Sequence, residues 1–272
     1  MRSYKKYLIA AVLLIFIFAM GSASAGDFEN TTLNHISSDN GTVILSENAD
    51  NLIGDVSNEI TVDNWDDLQE YCSKSDKNYV LKLKENTNYY PNDPTDSSNQ
   101  ILFNNNVTII GASGAYIGDT SPNARNITYT AMKVQDNNGV GITVKNVLFK
   151  WIGTRYQRDG VFLQMGGNSV NFFEDCYFTN ISTNLGHSSI VYIKTGDAVV
   201  TNCTFINCTT DFGCLSVYNP DDDPTDICLS ARMNVTDSYF EGNYARTEPG
   251  CINNCGVLIV TNSTFYQNSA FW

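Results

Sequence analysis

The side chains best equipped for chemistry in this chain are its cysteines and carboxylates. Eight cysteines occur: Cys72, Cys176, Cys203, Cys208, Cys214, Cys228, Cys251 and Cys255. Two of them lie five apart in "VTNCTFINCTT" (200–210), where a metal pair, a redox pair or a glycosylated loop would each fit locally. Cys203, Cys208 and Cys214, or Cys251 with Cys255, could on paper hold zinc. No Cys-x-x-Cys spacing occurs, and His35 and His187 are the only imidazoles, so neither a zinc centre nor a Ser-His-Asp arrangement is supported. Polysaccharide cleavage instead needs two carboxyl groups facing one cleft, about 5–10 Å apart. Asp159 and Glu174, with Arg155 and Arg158 nearby, are the best catalytic candidates of that kind. The run "NPDDDPTD" (219–226) offers Asp221, Asp222, Asp223 and Asp226 as oxygen donors for Ca²⁺. It lacks the Gly and distal Glu of an EF-hand, so a solvated acidic loop is favoured, with no cofactor expected beyond a possible calcium ion.

These residues must be positioned by something, and the chain's start says where that happens. Arg2, Lys5 and Lys6 precede an apolar run from Tyr7 to Met20, closed by Ala23-Ser24-Ala25. This is the pattern of a cleaved signal peptide, residues 1–25. The run falls short of the roughly 20 residues needed to cross a bilayer, and no later stretch is as apolar, so no membrane span is expected after cleavage. The expected location is secreted, extracellular or at the cell surface. Of 272 residues, 16 are basic and 29 acidic, a net charge of −13. Removing Arg2, Lys5 and Lys6 leaves 13 basic residues and a charge of −16. Such a surface repels phosphate backbones, which excludes nucleic acid as a partner. Export also makes disulfides the default for an even number of cysteines.

Residues 26–60 are rich in Asn, Ser, Asp and Thr and read as a polar, loosely ordered leader. In "TVDNWDDLQEYCSK", Asp63 or Asn64 can cap a short helix, with Trp65, Leu68 and Cys72 on one face. "YVLKLK" alternates strictly and is a strand. Beyond it, five segments align without gaps on a phenylalanine: "ITVKNVLF", "NFFEDCYF", "AVVTNCTF", "MNVTDSYF" and "LIVTNSTF". Phe149, Phe178, Phe205, Phe240 and Phe265 are spaced 29, 27, 35 and 25 residues apart, a period typical of solenoids. Three positions before each Phe stands Asn146, Asp175, Asn202, Asp237 or Asn262. The alternation of apolar residues changes phase across that column, as two short strands joined by a left-handed corner would require. A further strand precedes each segment ("MKV", "VFLQM", "IVYIK", "CLSVY", "CINN"), which makes about three strands per repeat. Leucine-rich repeats lack their leucines here, and a propeller blade needs about 40 residues. The fold expected is all-β, a right-handed parallel β-helix over 61–272 with a short N-terminal capping helix.

The same residues carry a family resemblance. "GCLSVYN" (213–219) and "GCINNCG" (250–256) resemble one half of the polymorphic outer-membrane-protein repeat, and "FEGNYA" (240–245) and "FYQNSA" (265–270) its Phe-x-x-Asn half. "VTIIGASGAYIGD" (107–119) is similar to the opening coil of pectate-lyase-like right-handed β-helices. Together they resemble the adhesin-like surface proteins of methanogenic archaea, over roughly residues 60–272. Cys replaces the second Gly of the pattern, and "FINC" lacks its final Asn. The resemblance implies a fold more firmly than a function, because β-helices host lyases, hydrolases, tailspikes and adhesins alike.

Within a stack of coils the chemistry candidates change meaning. Asp175 and Asp237 share their column with three asparagines, which favours a corner role over a catalytic one. Cys176 and Cys203 share one column of adjacent coils, about 4.8 Å apart, a spacing that permits a disulfide. Cys214 and Cys251 form a second candidate pair, and a column of reduced, buried thiols is the alternative at both. Nine Asn-x-Ser/Thr sequons occur; Asn30, Asn40, Asn126 and Asn207 are the better glycosylation candidates, while Asn202 and Asn262 are committed as corners. Tyr177, Tyr239 and Tyr266 are expected to face outward, where rings can stack on sugars or simply cover surface. The chain reaches residue 272 directly after a repeat, so the expectation is an array continued by further repeats or covered by a partner. The reading favoured is an adhesin-like module for surface binding or envelope structure, contacting carbohydrate or the surface protein of another cell. The alternative is a polysaccharide lyase or glycoside hydrolase of the pectate-lyase-like superfamily.

Overall fold

The computed structural model describes residues 59–121, 126–134, 139–154, 160–164, 169–183, 188–217, 231–247 and 250–271, all of them in one compact unit, Asn48–Trp272. The signal-peptide expectation and all of the leader except its last two residues lie outside the described residues.

Asn64 sets the helix that follows strand Glu59–Val62. Its Oδ1 accepts from the Asp67 amide at 2.9 Å, and Asp67 Oδ2 accepts in return from the Asp63 amide at 3.0 Å. These bonds satisfy amides that a helix start leaves without partners, and helix Trp65–Ser73 follows, burying Trp65, Leu68 and Cys72. The helix lies over strand Ile101–Phe103. Trp65 Nε1 donates to Asn99 O at 2.8 Å, Gln69 Nε2 to Gln100 O at 2.9 Å, and the Asn104 amide to Cys72 O at 3.1 Å.

Among the described residues everything else with regular structure is strand, apart from one 3-10 turn at Ser97–Asn99. The strands form four sheets of eight, seven, six and six members. The largest orders Glu59–Val62, Tyr79–Leu83, Val107–Ile110, Ile142–Lys145, Val170–Glu174, Gly196–Thr201, Ala231–Thr236 and Val257–Thr261 side by side. Every pairing in all four sheets is parallel. The chain visits the sheets in a fixed order. From Ile142–Lys145 in the first it passes to Leu148–Lys150, Gly153–Thr154 and Phe162–Gln164 in the other three, then returns at Val170–Glu174 beside the strand it left. The passes from Val107 to Asn254 therefore hold four strands each, not three. The missed one is only two residues long (Gly153–Thr154, Ser182–Thr183, Thr209–Thr210), too short for alternation to register in sequence.

The phenylalanine alignment is the strand register. Phe149 pairs with Phe178, Phe178 with Phe205, Phe205 with Phe240 and Phe240 with Phe265. Their rings stack at 4.5–4.8 Å with planes within 7°. Val144, Phe173, Val200 and Val235 form the corresponding inward column of the first sheet, each 0–1% exposed.

The corner column also stands as expected. Asn146, Asp175, Asn202, Asp237 and Asn262 have φ of 54, 55, 51, 52 and 47°. A second left-handed corner follows each phenylalanine by two residues: Trp151, Asn180, Asn207, Gly242 and Gln267, with φ between 51 and 61°. Gly111 and Gly118 let neighbouring strands close up, since a Cβ at either would sit 1.7 Å from a carbonyl oxygen, of Asn146 and Lys150 respectively. At the corners the residue type carries the energy. Asn202→Val is expected to destabilise the fold by about 1–2 kcal/mol, because a β-branched residue is disfavoured at positive φ, whereas Asn202→Gly stays within about 0.5 kcal/mol. Urea titration of both variants checks the contrast.

Candidate functional site

The cysteine columns are buried thiols. Cys176 and Cys203 follow the corners Asp175 and Asn202, in register because Tyr177 pairs with Thr204, and each is 1% exposed. The Cys176 thiol donates to Val144 O (3.4 Å) and Glu174 O (3.3 Å), and Cys203 to Phe173 O (3.4 Å) and Thr201 O (3.3 Å). Hydrogen bonding with Cys176, with burial next, holds the Cys203 proton far above the ordinary thiol range. Cys214 and Cys251, the second expected pair, do hold the same register position on successive levels: Leu215 pairs with Ile252. Cys208, six residues before Cys214 in sequence, donates its thiol to Phe178 O (3.7 Å) and Ile206 O (3.4 Å). Burial raises Cys214 strongly and pushes Cys251 up to about 12. All four candidate disulfide cysteines are present as thiols.

Thiols are poor nucleophiles and poor metal ligands compared with thiolates. Among the described residues no group of three or more His, Cys, Asp or Glu side chains is placed to hold a metal ion. The protons have a thermodynamic consequence. The folded protein keeps them where the unfolded chain has lost them, so each such thiol withdraws stability as pH rises, by up to ~1.4 kcal/mol per pH unit. For Cys251 the window runs from its ordinary 9.0 to about 12. Urea midpoints measured between pH 8 and 10 are expected to fall, and less steeply in Cys203→Ala.

The carboxylates are spread out. Glu174 is the one catalytic candidate among the described residues; Asp159, Arg155 and Arg158 lie outside them, as do Asp221, Asp222, Asp223 and Asp226. Glu174 pairs with Lys145 at 2.8 Å, directly across the strand pair. Asp175 Oδ1 accepts from Asn202 Nδ2 at 2.5 Å, and Asp237 Oδ1 accepts from Asn262 Nδ2, so both corner carboxylates are engaged by the next level of the stack. Sequence reasoning did not find the most buried ion pair among the described residues. Arg246 Nη1 reaches Asp211 Oδ1 (3.2 Å) and Thr183 O (2.5 Å), with Asp211 only 5% exposed at its side chain. Its members are 35 and 63 residues apart, joined only because successive passes stack there.

Of the glycosylation candidates, Asn30 and Asn40 lie outside the described residues. Asn126 is in strand Asn126–Ile127, where its backbone pairs with Gly153. Asn207 is exposed, but with φ 53° it is a corner of the second kind, the same commitment that Asn202 carries.

What remains open to a partner is the outer face of the eight-stranded sheet. Val80, Thr108, Thr143, Phe172, Val199 and Ile259 fall in one register line on that face, with Asn234 between the last two. Val80, Phe172, Val199 and Ile259 are half-buried and Thr108 and Thr143 buried, while the inward neighbours of Phe172 and Val199 are sealed. Charge flanks the strip, Lys145 with Glu174 on one side and Asp197 opposite Arg232 on the other. Aromatic rings are available on other faces: Tyr177 is 40% and Tyr266 50% exposed, whereas Tyr239 donates to Glu241 Oε2 at 3.1 Å. The corner Trp151 meets Tyr116 edge-on at 6.2 Å, with Lys150 Nζ 3.8 and 4.2 Å from the Tyr116 and Trp151 rings. Comparison with family models, curated proteins and solved structures returns no match.

Proposed function

We propose that this chain is a secreted, cell-surface adhesin-like module whose four parallel sheets are the faces of a right-handed β-helix. All-parallel pairing with a fixed order of sheets supports the β-helix, and its hand follows from the strong right-handed preference of parallel crossovers. The observation that carries the function is the outer strip of Phe172, Val199, Asn234 and Ile259, half-buried side chains in one register line across four neighbouring strands, continued by the buried Thr143 and Thr108 and by half-buried Val80. A continuous strip of partly apolar surface bounded by charge is the signature of a contact face. Carbohydrate suits it, since the half-buried Asn234 amide can bond sugar hydroxyls while Phe172 and the aliphatic groups cover the apolar face of a pyranose ring. The surface protein of another cell would engage the same strip. The test couples a glycan array with a polysaccharide-degradation assay on the same ligands. Expected is saturable binding, weakened about tenfold or more by Phe172→Asp, with ligand returned intact. Release of reducing or unsaturated ends would establish the lyase or hydrolase reading instead.

A further inference from the structure

The outer face of the seven-stranded sheet carries a second periodicity, offset from the phenylalanines by one residue. Tyr116, Leu148, Tyr177, Thr204 and Tyr239 occupy one register line on five successive strands. Each stands one position before an inward residue (Ile117, Phe149, Phe178, Phe205 or Phe240), all 0–1% exposed, so alternation turns these five side chains outward. Tyrosine recurs at every second level, with Leu148 and Thr204 between. Neighbouring strands lie about 4.8 Å apart, so the tyrosines repeat about every 9.6 Å. Packing alone does not call for that alternation, because the Phe column beneath places a ring at every level, 4.5–4.8 Å apart.

The tyrosines are accessible and held. Among the described residues up to Asn254, Tyr177 is the most exposed large apolar side chain, at 40%, and Tyr116 and Tyr239 are half-buried. Tyr239 is anchored by its bond to Glu241 Oε2, and Tyr116 by Trp151 and by Lys150, whose Nζ lies 3.8 Å from the Tyr116 ring. Trp151 has φ 53°, where the equivalent corners carry Asn, Gly or Gln. A side chain of that size is unfavourable there, and what it places is an indole at the head of the tyrosine line. The rims are polar. Exposed Asp175, Asn202 and Asp237 stand on one side, and Lys150, Thr179 and Glu241 on the other. Three carboxylates thus accompany one ammonium, and Lys145 and Glu174 beyond the corners are already paired at 2.8 Å. This balance repels a polyanion and supplies donors and acceptors for hydroxyl groups.

We infer that this face binds a neutral, linear polysaccharide of equatorially linked hexopyranoses, lying across the strands along the line of tyrosines. In such an extended chain equivalent ring faces recur at every second sugar, a repeat close to two levels of the stack. Alternate sugars stack on Tyr116, Tyr177 and Tyr239, the sugar between the last two meets the Thr204 hydroxyl, and the rim side chains bond ring hydroxyls. This site goes beyond the Phe172 strip of the first sheet, and neither depends on the other.

Cello-oligosaccharides of two to six sugars are the probes, titrated into the full chain by isothermal calorimetry. Affinity should climb with length until one oligomer spans the roughly 19 Å from Tyr116 to Tyr239, then level off. Tyr177→Ala should weaken binding of the longest oligomer about tenfold, whereas Tyr177→Phe, which keeps the ring, should stay within about twofold. Combining Leu148→Tyr with Tyr177→Leu preserves the number of rings and breaks the two-level period. That double variant should bind as weakly as Tyr177→Ala, with native circular dichroism in every case. Phe172→Asp should leave these affinities unchanged. Equal binding of malto-oligosaccharides, which curve, or of anionic polygalacturonate would overturn the proposal. So would indifference to Tyr177→Ala, undiminished affinity in the double variant, loss of binding in Phe172→Asp, or no binding at all.

Discussion

Phe205→Ala is expected to lower stability by about 3–5 kcal/mol, the usual range for truncating a fully buried phenylalanine. Phe205 is 0% exposed and sandwiched between Phe178 at 4.5 Å and Phe240 at 4.8 Å, with planes within 3° of both. Its neighbours are fixed by parallel ladders on both sides, so the space cannot collapse by shifting one strand alone. The cavity persists, and two stacking contacts vanish together. Phe265→Ala removes the same side chain from the same column where it is 46% exposed and stacked on one face, and is expected to cost about 1 kcal/mol or less. Thermal unfolding of the pair checks the ratio. The larger loss corresponds to roughly 6–20 °C in Tm for a chain of this size. Equal losses would mean that position in the stack does not govern the energy.

That column was legible because from Phe149 onward its chemistry is repeated at every level, after Tyr89 and Ile117 at its start. A Phe five times over, preceded each time by Asn or Asp at the same distance, fixes both a register and a left-handed bend. The structure returns the two as strand pairing and as φ near 50°. The second bend was not legible, although its geometry is equally regular. Trp151, Asn180, Asn207, Gly242 and Gln267 share no side-chain property. Only asparagine and glycine there are suited to positive φ, and at Trp151 and Gln267 the ladders on either side impose the conformation. For the same reason the sequon at Asn207 looked more available than that at Asn202 when the two occupy equivalent bends. The four-strand pass was hidden by strands of two residues, below the length at which alternation carries information. The Arg246–Asp211 pair illustrates a further limit. Two passes of chain separate Arg246 from the Thr183 carbonyl to which it donates, so their proximity is a product of stacking and has no local signal. The cysteines were found by type, but their role was set by bonds invisible in sequence: each Sγ of Cys176, Cys203 and Cys208 donates to a backbone carbonyl of the preceding level.

Cys208 explains why "FINC" departs from the Phe-x-x-Asn pattern, and it supports a second large effect. Asn243, the next residue in its column, is 0% exposed. Its Oδ1 accepts the Cys208 amide at 3.0 Å, and its Nδ2 donates at 2.9 Å to both Phe205 O and Asn268 Oδ1. Cys208 Sγ makes the corresponding bond to Phe178 O at 3.7 Å, so a thiol here replaces the donor half of an asparagine and lacks the acceptor half. Asn243→Leu keeps the volume and removes both halves. The Cys208 amide is left buried without a partner, at about 1–3 kcal/mol, and the Phe205 carbonyl loses its side-chain donor, at about 1 kcal/mol, for a total of about 2–4 kcal/mol. Asn243→Cys retains the donor and is expected to lose about 1 kcal/mol less, because the Phe205 carbonyl stays bonded. The ordering native, then Asn243→Cys, then Asn243→Leu should appear in urea midpoints with unchanged slopes. If leucine were as stable as asparagine, the column would be held by apolar packing alone, and the bond from Cys208 to Phe178 would be incidental to the fold.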